Sequence, residues 1–233
     1  MEINCGNLPF PFPCYRLQNL AKLEYLKCGV IENECLIKLT NLTTLLCMNS
    51  TLNLCIERLT KLKNLFLNCD RSIDGNDLEH LTELISLNLD SNKFITDNGL
   101  CKLTKLKTLT LFKNDNITDN YMKRLTNLEI LDLTNNYMIT VNGIKYLTRL
   151  QILNICGNNN ISIKGLAYLT DLRVLIMHDN TNITNEMLSC LSNLTKLYID
   201  KKRDTTKIPE RIDVSFDNIV LMSSLSTSQY DNM

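Results

Sequence analysis

Few residues of this 233-residue chain are of the types that catalyse reactions at neutral pH. The two histidines, His80 and His178, lie in different sequence contexts, and a nucleophile needs a base within hydrogen-bond reach. We interpret His178 beside Asp179 as a solvated pair. Asp90 and Asp132 lie in repeats that are two apart, so we interpret them as separate rim carboxylates rather than an acid–base pair. These residues predict no catalytic site, and we expect a protein that is not an enzyme.

The ten cysteines and seven glycines do not form a metal or phosphate motif either. No C-x-x-C pair occurs, whereas a zinc site needs clustered ligands, and the glycines are scattered rather than gathered in a phosphate-binding loop. We therefore expect no metal and no cofactor. The first twenty residues lack the basic and apolar regions of a signal peptide. Reduced cysteines and a cytoplasmic location are the expectation that follows.

Charge and hydropathy narrow the classes of partner. Lys plus Arg number 25 and Asp plus Glu number 25, so the formal net charge is zero. The chain therefore has no excess of positive charge that would attract a nucleic acid or an anionic membrane surface. No apolar run in the sequence is long enough to span a bilayer. We expect a protein partner, with no nucleic acid and no membrane. Hydrophobic residues make up 44% of the chain, which is ample for a core.

The elements that must position any site come from an internal repeat. When the chain is divided at a recurring step that is Leu-Thr in most repeats, successive repeats begin 22 residues apart. Their first residues are Leu59, Leu81, Leu103, Leu125, Leu147, Leu169 and Leu191. Two shorter repeats, of 19 and 20 residues, begin at Leu20 and Leu39. Such a period indicates a solenoid of stacked units.

Five central repeats carry the pattern L-x-x-L-x-L-x-x-N or a close variant, whereas the outer repeats have Ile31, Ser50, Asp70 and Lys202 in place of the asparagine. The pattern stands at Leu84, Leu87, Leu89 and Asn92, at Leu106, Leu109, Leu111 and Asn114, and at the same positions in the next three repeats. This pattern resembles the signature of the leucine-rich repeat family, over residues 20–212 in about nine repeats. The resemblance implies an α/β fold: a horseshoe-shaped leucine-rich repeat solenoid with a parallel concave sheet and short convex helices.

The second half of the central repeats follows N-x-x-I-T-x-x-G-L, complete at 92–100 and with substitutions elsewhere; Ile95, Ile117 and Ile139 are among its isoleucines. It resembles the I-T-D-x-G-L half of repeats in F-box-associated proteins, and the Asn- and Ile-rich composition resembles leucine-rich repeat proteins of AT-rich genomes such as those of large DNA viruses of amoebae. The first resemblance implies an alternative function, a substrate-recognition adaptor of a ubiquitin ligase. Only 19 residues precede the first repeat, so this adaptor would lack a recognisable F-box.

The slots of a repeat have separate structural roles. The i, i+2 leucines are expected to share the inner face of a short strand, and the asparagine to turn the chain and bond backbone groups of its neighbours. Thr96, Thr118 and Thr140 suit helix N-caps. The two short repeats leave no room for a helix, so residues 20–58 are expected to be tighter. We predict three parts: an N-terminal cap at 1–19, the solenoid at 20–212, and a C-terminal cap with a disordered tail at 213–233.

The residues beside the inward leucines predict the functional surface, because they would point into the concave face. They form apolar groups near each end, around a polar centre. The predicted partner-binding residues are Leu46, Phe66, Asn88, Asp90, Thr110, Phe112, Asp132, Ile152, Ile176 and Tyr198. Apolar anchors around a polar centre suit a protein partner, although β-branched and aromatic residues also favour strands for their own sake. We therefore expect a non-enzymatic scaffold for protein–protein interaction.

Overall fold

A computed structural model of the chain describes residues 2–5, 22–28, 31–47, 56–67, 73 and 75–217. It contains one sheet of eleven parallel strands that follow one another in sequence order. The strands are β1 Glu2–Cys5, β2 Tyr25–Cys28, β3 Thr44–Cys47, β4 Asn64–Leu67, β5 Ser86–Asn88, β6 Thr108–Thr110, β7 Ile130–Asp132, β8 Ile152–Asn154, β9 Val174–Ile176, β10 Lys196–Tyr198 and β11 Asp213–Ser215. The predicted repeat solenoid is confirmed.

The register of the sheet is set by one leucine per strand. From β2 to β10 the second residue of every strand is a leucine paired with the leucine of the next strand, for example Leu109 with Leu131 and Leu131 with Leu153. These side chains are buried in one continuous core. Burying each leucine contributes roughly 1.5–3 kcal/mol, and no repeat can bury its own leucines without a neighbour.

Short helices return the chain behind the core. They are α1 Asn33–Leu36, α2 Gly75–Leu78, α3 Asp97–Leu100, α4 Asp119–Met122, α5 Val141–Ile144 and α6 Ile163–Leu166, with 3₁₀ turns at Ile56–Arg58 and Glu186–Cys190. The prediction that the short repeats lack a helix is wrong for the 19-residue repeat, which contains α1; the described part of the 20-residue repeat has a 3₁₀ turn at Ile56–Arg58. A single four-residue turn needs less chain than we expected.

The asparagines that end the motifs are buried, and Asn114, Asn136 and Asn180 bond to the preceding repeat as predicted. The ladder is interrupted at Asn158, whose Nδ2 has no hydrogen-bond partner. Asn114 donates from Nδ2 to the carbonyl oxygens of Leu89 (3.0 Å) and Asn92 (3.1 Å) in the preceding repeat. Its Oδ1 accepts from the backbone N–H groups of Asn116 (3.1 Å) and Ile117 (3.2 Å) in its own turn. One side chain therefore joins two repeats and closes the turn after the strand, which satisfies backbone groups that would otherwise be buried without partners.

A second link between repeats joins the starts of neighbouring helices. The Asp97 carboxylate accepts from both the backbone N–H (2.8 Å) and the hydroxyl (2.5 Å) of Thr118 in the next repeat. Asp119 and Thr140 repeat the arrangement at 2.8 and 2.6 Å. Thr118 and Thr140 also accept from the N–H two residues on, so the N-cap prediction is confirmed for these two. Thr96 makes no such side-chain cap bond.

The helices α2 and α3 approach each other at two glycines. A Cβ added to Gly99 would lie 2.2 Å from the Cα of Gly75, a distance that backbone atoms cannot tolerate. We expect Gly99→Ala to destabilise the chain by about 2–3 kcal/mol, because the two helix backbones must separate. Thermal unfolding measures the change. Asn98→Ala, at the exposed neighbouring position, is the matched control; equal melting temperatures for the two variants would refute the close approach.

Both ends of the sheet extend beyond the repeats. β1 pairs with β2, and β11 pairs with β10, so a strand lies within each segment that we predicted to be a cap. The rest of the predicted N-terminal cap, 6–19, and the part of the predicted C-terminal cap and tail from 218 onward lie outside the described residues, and the three-part division of the chain stays a prediction. Among the cysteines, Cys28 and Cys47 are buried with 3.7 Å between their sulfurs. Cys35 is disulfide-bonded, so the expectation of reduced cysteines is wrong there.

Candidate partner-binding face

The side of the sheet opposite the leucine core, here named the strand face, carries two rows of strand side chains. The outer row comes from the first residue of each strand. Its members from β5 to β10 are half-buried: Ser86, Thr108, Ile130, Ile152, Val174 and Lys196. The central row comes from the third residue of each strand and is buried from β3 to β10. The outer row is therefore the more accessible part of the strand face.

The structure divides the ten predicted binding residues by exposure. Those that are buried are Leu46, Phe66, Asn88, Thr110, Asp132, Ile176 and Tyr198. Asp90, Phe112 and Ile152 are half-buried. Strands about 4.8 Å apart in register bring each central side chain against the next, which covers both. The binding role of all ten residues stays a prediction, and the half-buried ones are those that a partner can reach without a change in the face.

The strand face has an apolar cluster at one end and polar side chains next to it. Tyr25, Leu46 and Phe66 pack into an apolar cluster that is separate from the leucine core. Polar side chains follow, beginning with Asn88, whose Nδ2 donates to Asp90 Oδ2 at 2.9 Å. Asp90 Oδ1 accepts from the backbone N–H of Phe112 in the next repeat at 3.0 Å. The order of an apolar end and a polar centre is as predicted from the sequence.

The polar centre contains a carboxyl group that is more buried than we expected. Asp132 is 7% exposed, so its interpretation as a rim carboxylate is wrong. It accepts from the backbone N–H of Thr134 (2.8 Å) and from Asn154 Nδ2 (3.1 Å). Burial raises the pKa of Asp132 and the Asp90 carboxylate adds to this rise, while the hydrogen bonds from Thr134 and Asn154 lower it. The resulting pKa is about 6. Burial likewise raises the pKa of Asp90.

The raised pKa of Asp132 makes stability depend on pH. Between the usual pKa of 3.8 and the folded value of about 6, the unfolded chain releases this proton while the folded chain keeps it. Stability therefore falls as pH rises through that window, by up to about 3 kcal/mol, and is level above it. We expect Asp132→Asn, which keeps an acceptor for Thr134, to flatten this slope. Melting temperatures of the wild type and the variant at pH 4, 5, 6 and 7 test this prediction. If the melting temperatures of the two proteins changed with pH in parallel, the prediction would be wrong.

Cysteine, histidine and aspartate occupy one position in three successive repeats. Cys156, His178 and Asp200 each lie two residues past a strand, and His178 Nδ1 is 3.5 Å from Asp200 Oδ1. His178 is buried, so the interpretation of a solvated pair with Asp179 is wrong. Burial raises the pKa of the Cys156 thiol to about 12, against a smaller lowering by the backbone N–H of His178. The thiol therefore stays protonated at neutral pH and is a poor nucleophile.

Other candidate sites are few in the part of the chain that the structure describes. Within it, no group of three or more His, Cys, Asp or Glu side chains could hold a metal ion. No helix among the same residues has the length and apolar character needed to cross a membrane.

The sequence places Ile130, Ile152 and Val174 in one predicted apolar group of this face, but it does not show how exposed they are. Ile130 and Val174 flank Ile152 in the outer row and form a half-buried apolar strip with it. The 22-residue spacing of the repeats shows that Ile130 and Val174 are first residues of strands. It does not show that they are more exposed than the third residues of the same strands. The contact between His178 and Asp200 was missed, because a separation of one repeat, rather than adjacency in the chain, brings these side chains together.

Comparison with known proteins supports the fold through structure. No protein-family model matches the chain, and no curated protein matches it either. An internalin C2 from Listeria monocytogenes is 29% identical with a TM-score of 0.59, over 74% of this chain and 76% of that one. The internalin InlF of the same bacterium is 26% identical with a TM-score of 0.58, over 87% and 76% of the two chains.

A third solved structure, of the yeast complex of Rad7 and Elc1, shares the fold at 14% identity. Its TM-score is 0.60, over 88% of this chain and 65% of that one. Internalins and Rad7 are leucine-rich repeat proteins. The repeated motif, the parallel sheet with its short helices, and these structural likenesses together show that the chain has the leucine-rich repeat fold.

Proposed function

We propose that the chain is a non-enzymatic scaffold that binds a protein partner through the strand face. The observation that carries this proposal is the strip of Ile130, Ile152 and Val174, three apolar side chains that remain half-buried in adjacent strands. Burial of such side chains against a partner would contribute roughly 25 cal/mol per Å² of apolar surface. The polar centre beside the strip, with Asp90 and Asp132, would supply directional contacts that select the partner.

The similar structures support binding of a protein in general terms. Rad7 was solved in a complex with Elc1, which is an example of this fold in a protein assembly. The low reactivity of the Cys156 thiol supports a role other than catalysis. A cytoplasmic location remains part of the proposal. Five thiols support it, at Cys28, Cys47, Cys101, Cys156 and Cys190, whereas the disulfide of Cys35 counts against a fully reducing compartment.

Affinity capture from a lysate of the source cell tests the proposal. We expect Ile152→Glu to abolish capture of the partner, because it places a charge in the middle of the apolar strip. Since Ile152 is half-buried, the variant should keep its circular dichroism spectrum. Tyr137→Ala, at an exposed residue outside the sheet, is the matched control and should capture the partner normally. Equal capture by both variants would contradict a role for the strand face.

The adaptor of a ubiquitin ligase remains the alternative, and the I-T-D-x-G-L resemblance favours it. It predicts that ligase subunits purify together with the chain, in addition to a substrate. Capture of a partner without any ligase subunit would support the scaffold function and contradict the adaptor function.

A further inference from the structure

Two tyrosines stand exposed on the side of the solenoid opposite the strand face. Tyr146 is 48% exposed and Tyr168 is 56% exposed. Each lies two residues after the end of a helix, α5 or α6, so they occupy the same position in adjacent repeats. The two helices pack closely: a Cβ added to Gly165 would lie 3.0 Å from Val141 Cγ2. The two rings therefore lie on neighbouring units of one surface.

The core does not require tyrosine at these positions. The equivalent residue is Lys102 in one preceding repeat and Arg124 in the next, and both are exposed. Lysine and arginine there show that the position tolerates a polar side chain. Two large rings that are about half-exposed in adjacent repeats thus have no role in the folding of the solenoid that the structure shows.

Four cationic residues lie in the same two repeats as the two tyrosines or in the repeat before them. Lys123, Arg124, Lys145 and Lys164 lie on or next to the helices of the same three repeats, α4 to α6. None of these four makes an ion pair with another described residue. Lys145 Nζ lies 5.2 Å from the centroid of the Tyr146 ring. We name the surface of these four cations and two rings the tyrosine ridge.

Of the acidic groups near the tyrosine ridge in sequence, Asp171 is exposed and makes no ion pair with another described residue, and it is one carboxylate against four cations. Two others are already engaged. Asp119, at the start of α4, accepts both the backbone N–H and the hydroxyl of Thr140. Glu186, one repeat further on, pairs with Lys207 at 2.6 Å. Helices α5 and α6 contain no acidic residue in their first turns. The ridge therefore has a local excess of positive charge in a chain whose formal net charge is zero.

We propose that the tyrosine ridge is a second docking surface, which binds an acidic segment of a protein. Carboxylates of the segment would pair with the four cations and accept from the tyrosine hydroxyls, while its apolar atoms would cover the rings. Tyrosine and arginine are enriched among the residues that dominate binding at protein interfaces. The ridge and the strand face lie on opposite sides of the core, so the two surfaces can be occupied at once.

A nucleic acid fits this surface less well. Double-stranded DNA carries about one negative charge per 1.7 Å of its axis, which four cations spread over three repeats do not match. With a net charge of zero, the chain also lacks the long-range attraction that brings polyanions to basic proteins. A short acidic peptide needs only a few matched charges and offers apolar atoms to the rings.

Selection from a random peptide library displayed on phage tests the ridge. Selection is made on the wild-type chain, and the selected peptides are then measured against the double variant Tyr146→Ala/Tyr168→Ala. We expect a class of peptides enriched in Asp and Glu whose affinity falls at least about tenfold in the double variant and weakens as NaCl is raised. Tyr137→Ala, at another exposed tyrosine, should bind these peptides normally.

Three results would overturn the proposal. The first is that no selected peptide depends on the two tyrosines for binding, and the second is that the peptides that do depend on them are neutral or basic. The third is that a single-stranded oligonucleotide binds the wild type more tightly than the acidic peptides do and loses its affinity in the double variant. The strand face is tested separately, because peptides that bind there should be lost in Ile152→Glu and kept in the double variant. Failure of the ridge therefore leaves the proposed function intact.

Discussion

Replacing Leu131 with Asp is expected to abolish the cooperative unfolding of the chain. Leu131 is fully buried, and it pairs with Leu109 on one side and Leu153 on the other. The substitution removes the leucine packing and places a carboxylate in the core, at a cost of more than about 5 kcal/mol. Such a loss approaches the whole stability of a typical domain, and in a solenoid it also separates the repeats on either side.

The neighbouring residue is the matched control for Leu131. Ile130→Asp introduces the same charge one position earlier, where the side chain is half-buried on the strand face. We expect this variant to remain folded, with a melting temperature near that of the wild type, because its carboxylate reaches water. Circular dichroism during heating distinguishes the two. A folded Leu131→Asp chain with a normal transition would contradict the assignment of strand residues to the two faces.

Replacing Asn114 with Ala is expected to have the second-largest effect on stability. The side chain makes four hydrogen bonds, two to carbonyl oxygens of the preceding repeat and two from N–H groups of its own turn. All belong to a fully buried residue, so alanine leaves several backbone groups buried without partners. Each such group costs about 1–3 kcal/mol, and we expect a loss of at least about 3 kcal/mol and a fall in melting temperature of about 10 °C.

An exposed asparagine serves as the control for Asn114. Asn98→Ala removes the same amide from helix α3, where the side chain faces water, and should change the melting temperature little. Asn114→Asp separates the two halves of the ladder contact, since it keeps the acceptor and loses the amide donor. If Asn114→Ala and Asn98→Ala melted together, the ladder would contribute nothing to stability and the proposed link between repeats would be wrong.

The sequence predicted the repeated parts of the fold because each prediction rested on a local pattern seen many times. The paired leucines exemplified by Leu131 and the ladder exemplified by Asn114 follow from spacing within one repeat. The edge strands β1 and β11 could not be predicted in this way, because they carry no motif and pair through backbone groups that any residue has. Helix α1 was missed since a single turn leaves almost no periodic signal.

The candidate face was less predictable, because exposure depends on neighbours rather than on residue type. The sequence shows which side of the sheet Asp132 and Ile152 share. It does not show that Asp132 is covered by its neighbours while Ile152 is half-buried, since this depends on the close spacing of strands and on the size of adjacent side chains. The raised pKa of Asp132 arises from the same burial.

Site-specific photo-crosslinking tests most directly whether the strand face binds a protein. A photoreactive amino acid replaces Ile152 on the strand face or, in the control, Asn98 on an exposed helix position. After irradiation in a lysate of the source cell, we expect one discrete crosslinked protein from position 152 and none of the same mass from position 98. No crosslink at position 152, or the same products at both positions, would contradict binding through the strand face.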